Sequence, residues 1–184
     1  MSYTQSYTHF PAQNPSRLHI QASGEVGPEQ MDKLDITRQI EFKKHRSNFI
    51  GEGRHSQVYR GWYTQSSGEK LSVAVKVPMC TPQSRRDVEE RLMREIITWK
   101  RVSREEDVAD FMGIYRAPNE PPYLILPYYK NNNLLQYMAT RSPDERLARA
   151  KEIARGLDLL HSNHVIHGDL KLVRLVSSNY DCGY

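Results

Sequence analysis

Gly51-Glu52-Gly53-Arg54-His55-Ser56-Gln57-Val58-Tyr59-Arg60-Gly61-Trp62-Tyr63 decides the fold. Its first half has the spacing of a glycine loop that cradles phosphates, with Ser56 at the third glycine position. Two architectures use such a loop. One opens a helix and binds dinucleotides, and the other turns back as a second strand. After Ser56 the residues are β-branched and aromatic and alternate with period two, which predicts a hairpin and argues against the dinucleotide fold. Ser56 is small enough to leave the backbone approachable. A hairpin whose glycines serve only the turn is the plainer alternative at this point.

Outward from the hairpin, Leu71 to Val77 alternates as a strand, Pro78 closes it, and Ala74 and Lys76 share one side. A lysine there is ordinarily just solvated. Farther on, Val88, Leu92, Ile96, Trp99 and Val102 fall on one helical arc at about 100° per residue, and Glu95 lies within that arc. A carboxylate on a buried stripe is costly without a partner. Its alternative is to reach the helix edge. Pro121 to Leu126 predicts a turn and a short apolar strand, and Leu134 to Ala139 a short helix. Ser142-Pro143-Asp144-Glu145 is a strong helix start, with a serine cap, proline at the first helical position and glutamate three residues after the cap. The helix it opens carries an apolar stripe of Leu147, Ala150, Ile153, Ala154, Leu157 and Leu160 and ends near His161.

The glycine turn, Val73-Ala74-Val75-Lys76, the helical Glu95 and His167-Gly168-Asp169-Leu170-Lys171, in that order, resemble a protein kinase domain from Phe49 to Lys171. Arg94-Glu95-Ile96-Ile97-Thr98-Trp99-Lys100 and the His-Gly-Asp-Leu-Lys loop are most similar to the tyrosine-kinase-like kinases of mushroom-forming fungi. The resemblance implies an α+β fold: a small lobe of twisted antiparallel sheet plus one helix, then the first helices of a large lobe. It implies ATP as the bound nucleotide. Gly51, Gly53 and Ser56 would lie over its phosphates, Val58 and Ala74 would cap the adenine, and Lys76, paired with Glu95, would reach the α and β phosphates. Leu126 would be the gatekeeper beside the adenine. The Pro127 carbonyl and the Tyr129 N–H would be the adenine contacts, a role for which Pro127 lacks nothing. Asp169 would accept or orient the substrate hydroxyl, and Lys171 would steady the transferred phosphoryl group.

The pattern departs from the family behind Asp169. Gly168 replaces an arginine that pairs with phosphorylated activation loops, so control by that route is not expected. Arg174 stands where the family has a magnesium-binding asparagine, and a guanidinium cannot ligate a cation. Asp181-Cys182-Gly183 comes too soon to be the family's Asp-Phe-Gly. Magnesium is expected for the family, but no metal ligand is assigned here. The abrupt change at Leu172-Val173-Arg174-Leu175 suggests a C-terminally truncated chain, read into an intron after Lys171. The expected product is inactive in this form. The alternative is a pseudokinase acting as a nucleotide-binding or interaction module. A long helix lacking its packing partners would forgo about 10 kcal/mol, if roughly four large side chains stay exposed at about 1.5–3 kcal/mol each. That rivals a whole domain's net stability of about 5–15 kcal/mol, so a marginal product is expected.

Composition limits the partners. The 184 residues carry 26 Lys and Arg against 22 Asp and Glu, a net charge of +4 that reads as a solvated basic surface. No stacked aromatic and basic motif accompanies it, so nucleic acid is not an expected partner. Protein substrates or signalling partners are, with Lys171 after Asp169-Leu170 leaning towards Ser/Thr and Tyr as the other option. No apolar run reaches the roughly 18 residues that cross a bilayer, and no signal-type start is present, so no membrane partner is expected. Cys80 and Cys182 have no metal-type spacing, which suits a reducing cytoplasm, with the nucleus as the second option. The expected organisation is a disordered leader (1–30), a strap or linker (31–48), the small lobe (49–126), the hinge and the start of the large lobe with the catalytic loop (127–171), and an atypical tail (172–184).

Overall fold

The computed structural model describes residues 31–102, 108–130 and 134–167. Six strands form one sheet, and β3 (Ser56–Thr64) organises half of it. Along one edge β3 takes two partners, β1 (Ile40–Phe42) opposite Gly61 to Tyr63 and β2 (Phe49–Gly53) opposite Ser56 to Tyr59. Along the other runs β4 (Lys70–Pro78), in unbroken register from Ser56↔Pro78 to Thr64↔Lys70. Beyond it lie β6 (Tyr123–Pro127) and then β5 (Gly113–Tyr115), all ladders being antiparallel.

The right-handed twist of such a sheet carries its far edge round towards the first. Here the chain itself fastens the two. Asp35 bridges Ile114 of β5 in parallel, the Ile114 N–H donates to the Leu34 carbonyl at 2.8 Å, and the Ile36 N–H donates to the Ile114 carbonyl at 3.0 Å. After one 3-10 turn (Thr37–Gln39) the same chain enters β1 on the opposite edge. Gly113 permits this approach, since a Cβ there would meet the Leu34 carbonyl oxygen at 2.7 Å. Within the stretch 31–48, expected as a strap or linker, Asp35 bridges the sheet and Ile40–Phe42 is one of its strands. Three-residue strands such as β1 and β5 are too short to show period-two alternation in sequence.

Alternation along β4 sorts its two faces. Val73 and Val75 are fully buried and Val77 nearly so, packed with Tyr123 and Ile125 inside the curl, where Ile36, Ile40, Phe42, Tyr59 and Tyr63 also pack. Each fully buried side chain of this kind contributes roughly 1.5–3 kcal/mol before chain entropy is charged. The opposite face receives α1 (Arg85–Val102), whose Val88, Leu92 and Ile96 pack on Leu124, Ile114 and Leu34. A 3-10 turn (Pro82–Ser84) with a reciprocal Thr81 and Ser84 cap leads into α1. Pairs Arg85–Glu89 and Arg86–Glu90, at 2.9 and 3.1 Å, run along its exposed side.

After β6 come α2 (Leu134–Met138) and α3 (Pro143–Ser162). The start of α3 follows its sequence: Ser142 accepts from the Glu145 N–H, and Glu145 accepts from the Ser142 N–H at 3.1 Å. Its apolar stripe lies largely open, with Leu147 56% exposed. Arg101 Nη2 donates to the Asn163 carbonyl at 3.3 Å, which joins the end of α1 to the end of α3. Among the described residues no helix is long and apolar enough to cross a membrane. The architecture is the expected α+β one, a curled antiparallel sheet with one helix on a face, followed by two further helices.

Candidate active site

Cross-strand register gathers the site. Val58 faces Lys76, Arg60 faces Ala74, Ala74 faces Leu126 and Lys76 faces Leu124, so Val58, Arg60, Ala74, Lys76 and Leu126 share one face of three neighbouring strands. It is the face on which α1 packs. Leu92 and Ile96 fix that helix, and Glu95 beside them accepts a hydrogen bond from Lys76 Nζ. The two side chains are 28% and 33% exposed, a half-covered ion pair that water still reaches. Glu95 was expected on the buried arc. It is only partly covered because what faces it is Lys76 rather than an apolar side chain. Such a pair is worth more than an exposed one, at about 0–1 kcal/mol, yet breaking it strands a charge less severely than in a dry interior.

The glycine hairpin stands as read from the sequence. Gly53 faces Ser56 across a two-residue tip of Arg54 and His55, and the Met79 N–H donates to the His55 carbonyl at 2.9 Å, tying the tip to the end of β4. A register irregularity between Phe49 and Gly51 leaves Ile50 as the extra residue. A Cβ at Gly51 would meet nothing within 4 Å, and one at Gly53 only Ser56 atoms at 3.7 and 3.9 Å. Neither has a positive φ. Glycine weakens a strand, and nothing among the described residues calls for it at these two positions; open space beside such a glycine suits close approach by a ligand.

At the other end of the face, β6 runs one residue past Leu126 and takes in Pro127. The Tyr128 N–H donates to the Ser72 carbonyl at 3.3 Å. In an antiparallel ladder bonded and non-bonded pairs alternate, so the backbone groups of Pro127, paired with Val73, turn away from β4. The missing N–H therefore costs no ladder bond, and the Pro127 carbonyl is presented outward.

Sequence reasoning missed one group here. The Arg60 guanidinium lies over the Trp62 ring at 5.1 Å and the Tyr128 ring at 4.8 Å, and Nη2 donates to Ser72 Oγ at 3.0 Å. The available signal was the alternation Val58, Arg60, Trp62, which already set the three on one face. Gly168, Asp169, Lys171 and Arg174 lie outside the described residues, as does Asp181-Cys182-Gly183. Described structure reaches His167, two residues short of Asp169, after a helix end where the Val165 N–H donates to the Leu160 carbonyl at 2.8 Å.

The family described as protein tyrosine and serine/threonine kinase matches residues 44–179. Serine/threonine/tyrosine-protein kinase HT1 of Arabidopsis thaliana is 32% identical over 133 residues, covering 67% of this chain and 32% of that protein. Tyrosine-protein kinase SPK-1 of Girardia tigrina is 26% identical over 183 residues, 94% of this chain and 32% of that protein. Serine/threonine-protein kinase ULK1 of Homo sapiens is 31% identical over 144 residues, 75% of this chain and 13% of that protein. The chain thus spans a third or less of the length of these relatives. A curled antiparallel sheet, a helix packed on one face of it and a lysine–glutamate pair between them agree with that match: this chain belongs to the protein tyrosine and serine/threonine kinase family.

Proposed function

We propose that this chain binds ATP on the face shared by Val58, Ala74, Lys76 and Leu126, as the nucleotide-holding part of a kinase that transfers a phosphoryl group to protein. The observation that carries the proposal is the Lys76–Glu95 pair on the same face as the three apolar residues Val58, Ala74 and Leu126. Those three suit a purine, with Leu126 as the gatekeeper. The outward Pro127 carbonyl, with the Tyr129 N–H two residues on, would serve its hydrogen-bonding edge, and Lys76, aimed by Glu95, suits the phosphates. The bare backbone at Gly51 and Gly53, with small Ser56, leaves room for N–H groups to close over them.

Asp169 would hold the acceptor hydroxyl and take its proton as its oxygen bonds to the γ-phosphorus of ATP and the bond from that phosphorus to the β-phosphate oxygen breaks, releasing ADP, while Lys171 would offset charge on the transferred group. The acceptor is a protein hydroxyl, Ser or Thr by the Lys171 lean, with Tyr as the other candidate given the mixed specificities in the relatives' names. Magnesium would neutralise and orient the phosphates when bound. Arg174, at the family's asparagine position, does not fit that ion. This misfit favours a second reading, a nucleotide-binding module without transfer.

Calorimetric titration tests the proposal. ATP and adenosine should compete for one site, and Lys76→Met should weaken ATP about tenfold or more while sparing adenosine, because the lost contact is to phosphate alone. A chain that binds neither refutes the proposal. Phosphorylation of a generic protein substrate, abolished by Asp169→Asn, would favour the transferase, whereas ATP binding indifferent to magnesium and to Asp169→Asn would favour the binding module.

A further inference from the structure

Arg60 stands on the same face as the proposed adenine seat and reaches across β4 to the chain that follows β6. Its guanidinium is sandwiched between Trp62 of its own strand and Tyr128, with centroid distances of 5.1 and 4.8 Å, while Nη2 donates to Ser72 Oγ at 3.0 Å. Ser72 is the shared anchor, because its carbonyl also accepts the Tyr128 N–H. Arg60 Nε is buried and makes no hydrogen bond among the described residues, so the head is held by two ring faces and one fork of its donors. We propose that Arg60 is a positioning residue that clamps residues 127–129 to the sheet and so sets where the Pro127 carbonyl and the Tyr129 amide meet an adenine.

The physical need for a clamp is local. β6 ends at a proline that cannot donate to a ladder, and the next backbone bond to β4, Tyr128 to Ser72, is long at 3.3 Å. Adenine contacts made by backbone atoms tolerate little movement of the segment that carries them. A planar guanidinium can lie against two rings at once and still direct a donor sideways, which an ammonium cannot do in the same geometry. The clamp's geometry stands by itself; its purpose rests on the nucleotide reading above.

The test uses the full chain with two probes, adenosine for the hinge end of the site and inorganic tripolyphosphate for the Lys76 end. Amide hydrogen exchange at Tyr128 and Tyr129 is followed in parallel without ligand. Arg60→Met, which keeps the stem and removes the cation, should speed exchange at both amides. It should weaken adenosine about tenfold and leave tripolyphosphate within about twofold. Arg60→Lys should fall between, and Ser72→Ala, which leaves the stack intact, should cost adenosine about two- to threefold. The two milder variants decide the matter should Arg60→Met fail to fold. Unchanged exchange at the hinge amides and unchanged adenosine affinity would overturn the clamp, and so would equal losses for both probes, since these would mean general destabilisation. Faster hinge exchange in a protein that binds no adenosine would uphold the clamp and sink the nucleotide reading, so the two failures are told apart.

Discussion

Lys76 is oriented by its neighbours. Val58 faces it on β3 and Leu124 on β6, and Glu95 across the gap is its hydrogen-bond partner. A second charged cluster joins exposed Lys44 and Glu120 to the buried Tyr123. Lys44 Nζ donates to both carboxylate oxygens of Glu120 at 2.9 and 2.7 Å, and the Tyr123 hydroxyl donates to Glu120 Oε2 at 2.6 Å. The bonds from Lys44 and then Tyr123 hold the Glu120 carboxyl below its ordinary 4.5. Burial, and then the bond to Glu120, push the Tyr123 phenol up to about 12. Burial alone would lower the Lys44 ammonium, but its bonds to Glu120 and Tyr123 outweigh that and raise it above 10.5. The signs then follow. Glu120 lends stability above pH 4.5 that is lost as pH falls through its lowered value. Lys44 lends stability below 10.5 that is lost as pH rises through its raised one. Tyr123 stays neutral in the folded chain while the unfolded chain ionises from pH 10 upward, so stability also falls between 10 and about 12. Melting temperature should therefore hold a plateau between about pH 5 and 10, Glu120→Gln should flatten the acid limb and Tyr123→Phe the alkaline one. Limbs identical to the unsubstituted chain's would contradict this.

At the scale of elements, residues 31–42 and the start of α3 make two contrasting predictions. Leu34 is 8% exposed and packs on Val88, Leu92 and Ile96, the side chains that seat α1. Leu34→Ala should cost about 2–3 kcal/mol in denaturant unfolding, near the low end for a buried leucine, and a loss under about 0.5 would mean the segment merely lies on the surface. Ser142→Ala should cost about 1 kcal/mol, read as faster amide exchange through the first turn of α3 with α1 unaffected. The second site was legible in sequence because a cap is a local device whose residues sit within four positions. The glycine hairpin, β4 and α1 were legible for the same reason, through period-two and helical repeats in one stretch. β1 and β5 were not, since three residues carry no period, although Pro118-Asn119, with Asn119 in the left-handed region at φ 59°, marks the turn that leads from β5 to β6. The closure of the sheet by residues 34–36 depends on register between distant segments, which no window of sequence contains. Arg60 was legible only in part: alternation set it on one face with Val58 and Trp62, but Ser72 and Tyr128 reach it from segments distant in sequence.

For the whole molecule, coverage is uneven. The sheet and α1 bury two apolar clusters, whereas α3 leaves Leu147, Ala150 and Ala154 of its stripe exposed, with Ile153, Leu157 and Leu160 half-buried. An open apolar stripe on a helix is a surface for association. These 184 residues in isolation should self-associate with rising concentration, and Leu147→Lys should reduce it in sedimentation velocity runs; association indifferent to that substitution would place the contact elsewhere. The central claim is the cooperation of two residues brought together by a strand and a helix. The most direct measurement is a double-mutant cycle on ATP affinity with Lys76→Met, Glu95→Gln and the pair. The expected result is a large loss in either single variant and little further loss in the double, a coupling of about 1–2 kcal/mol. Losses that simply add, or ATP affinity untouched by both, would contradict it.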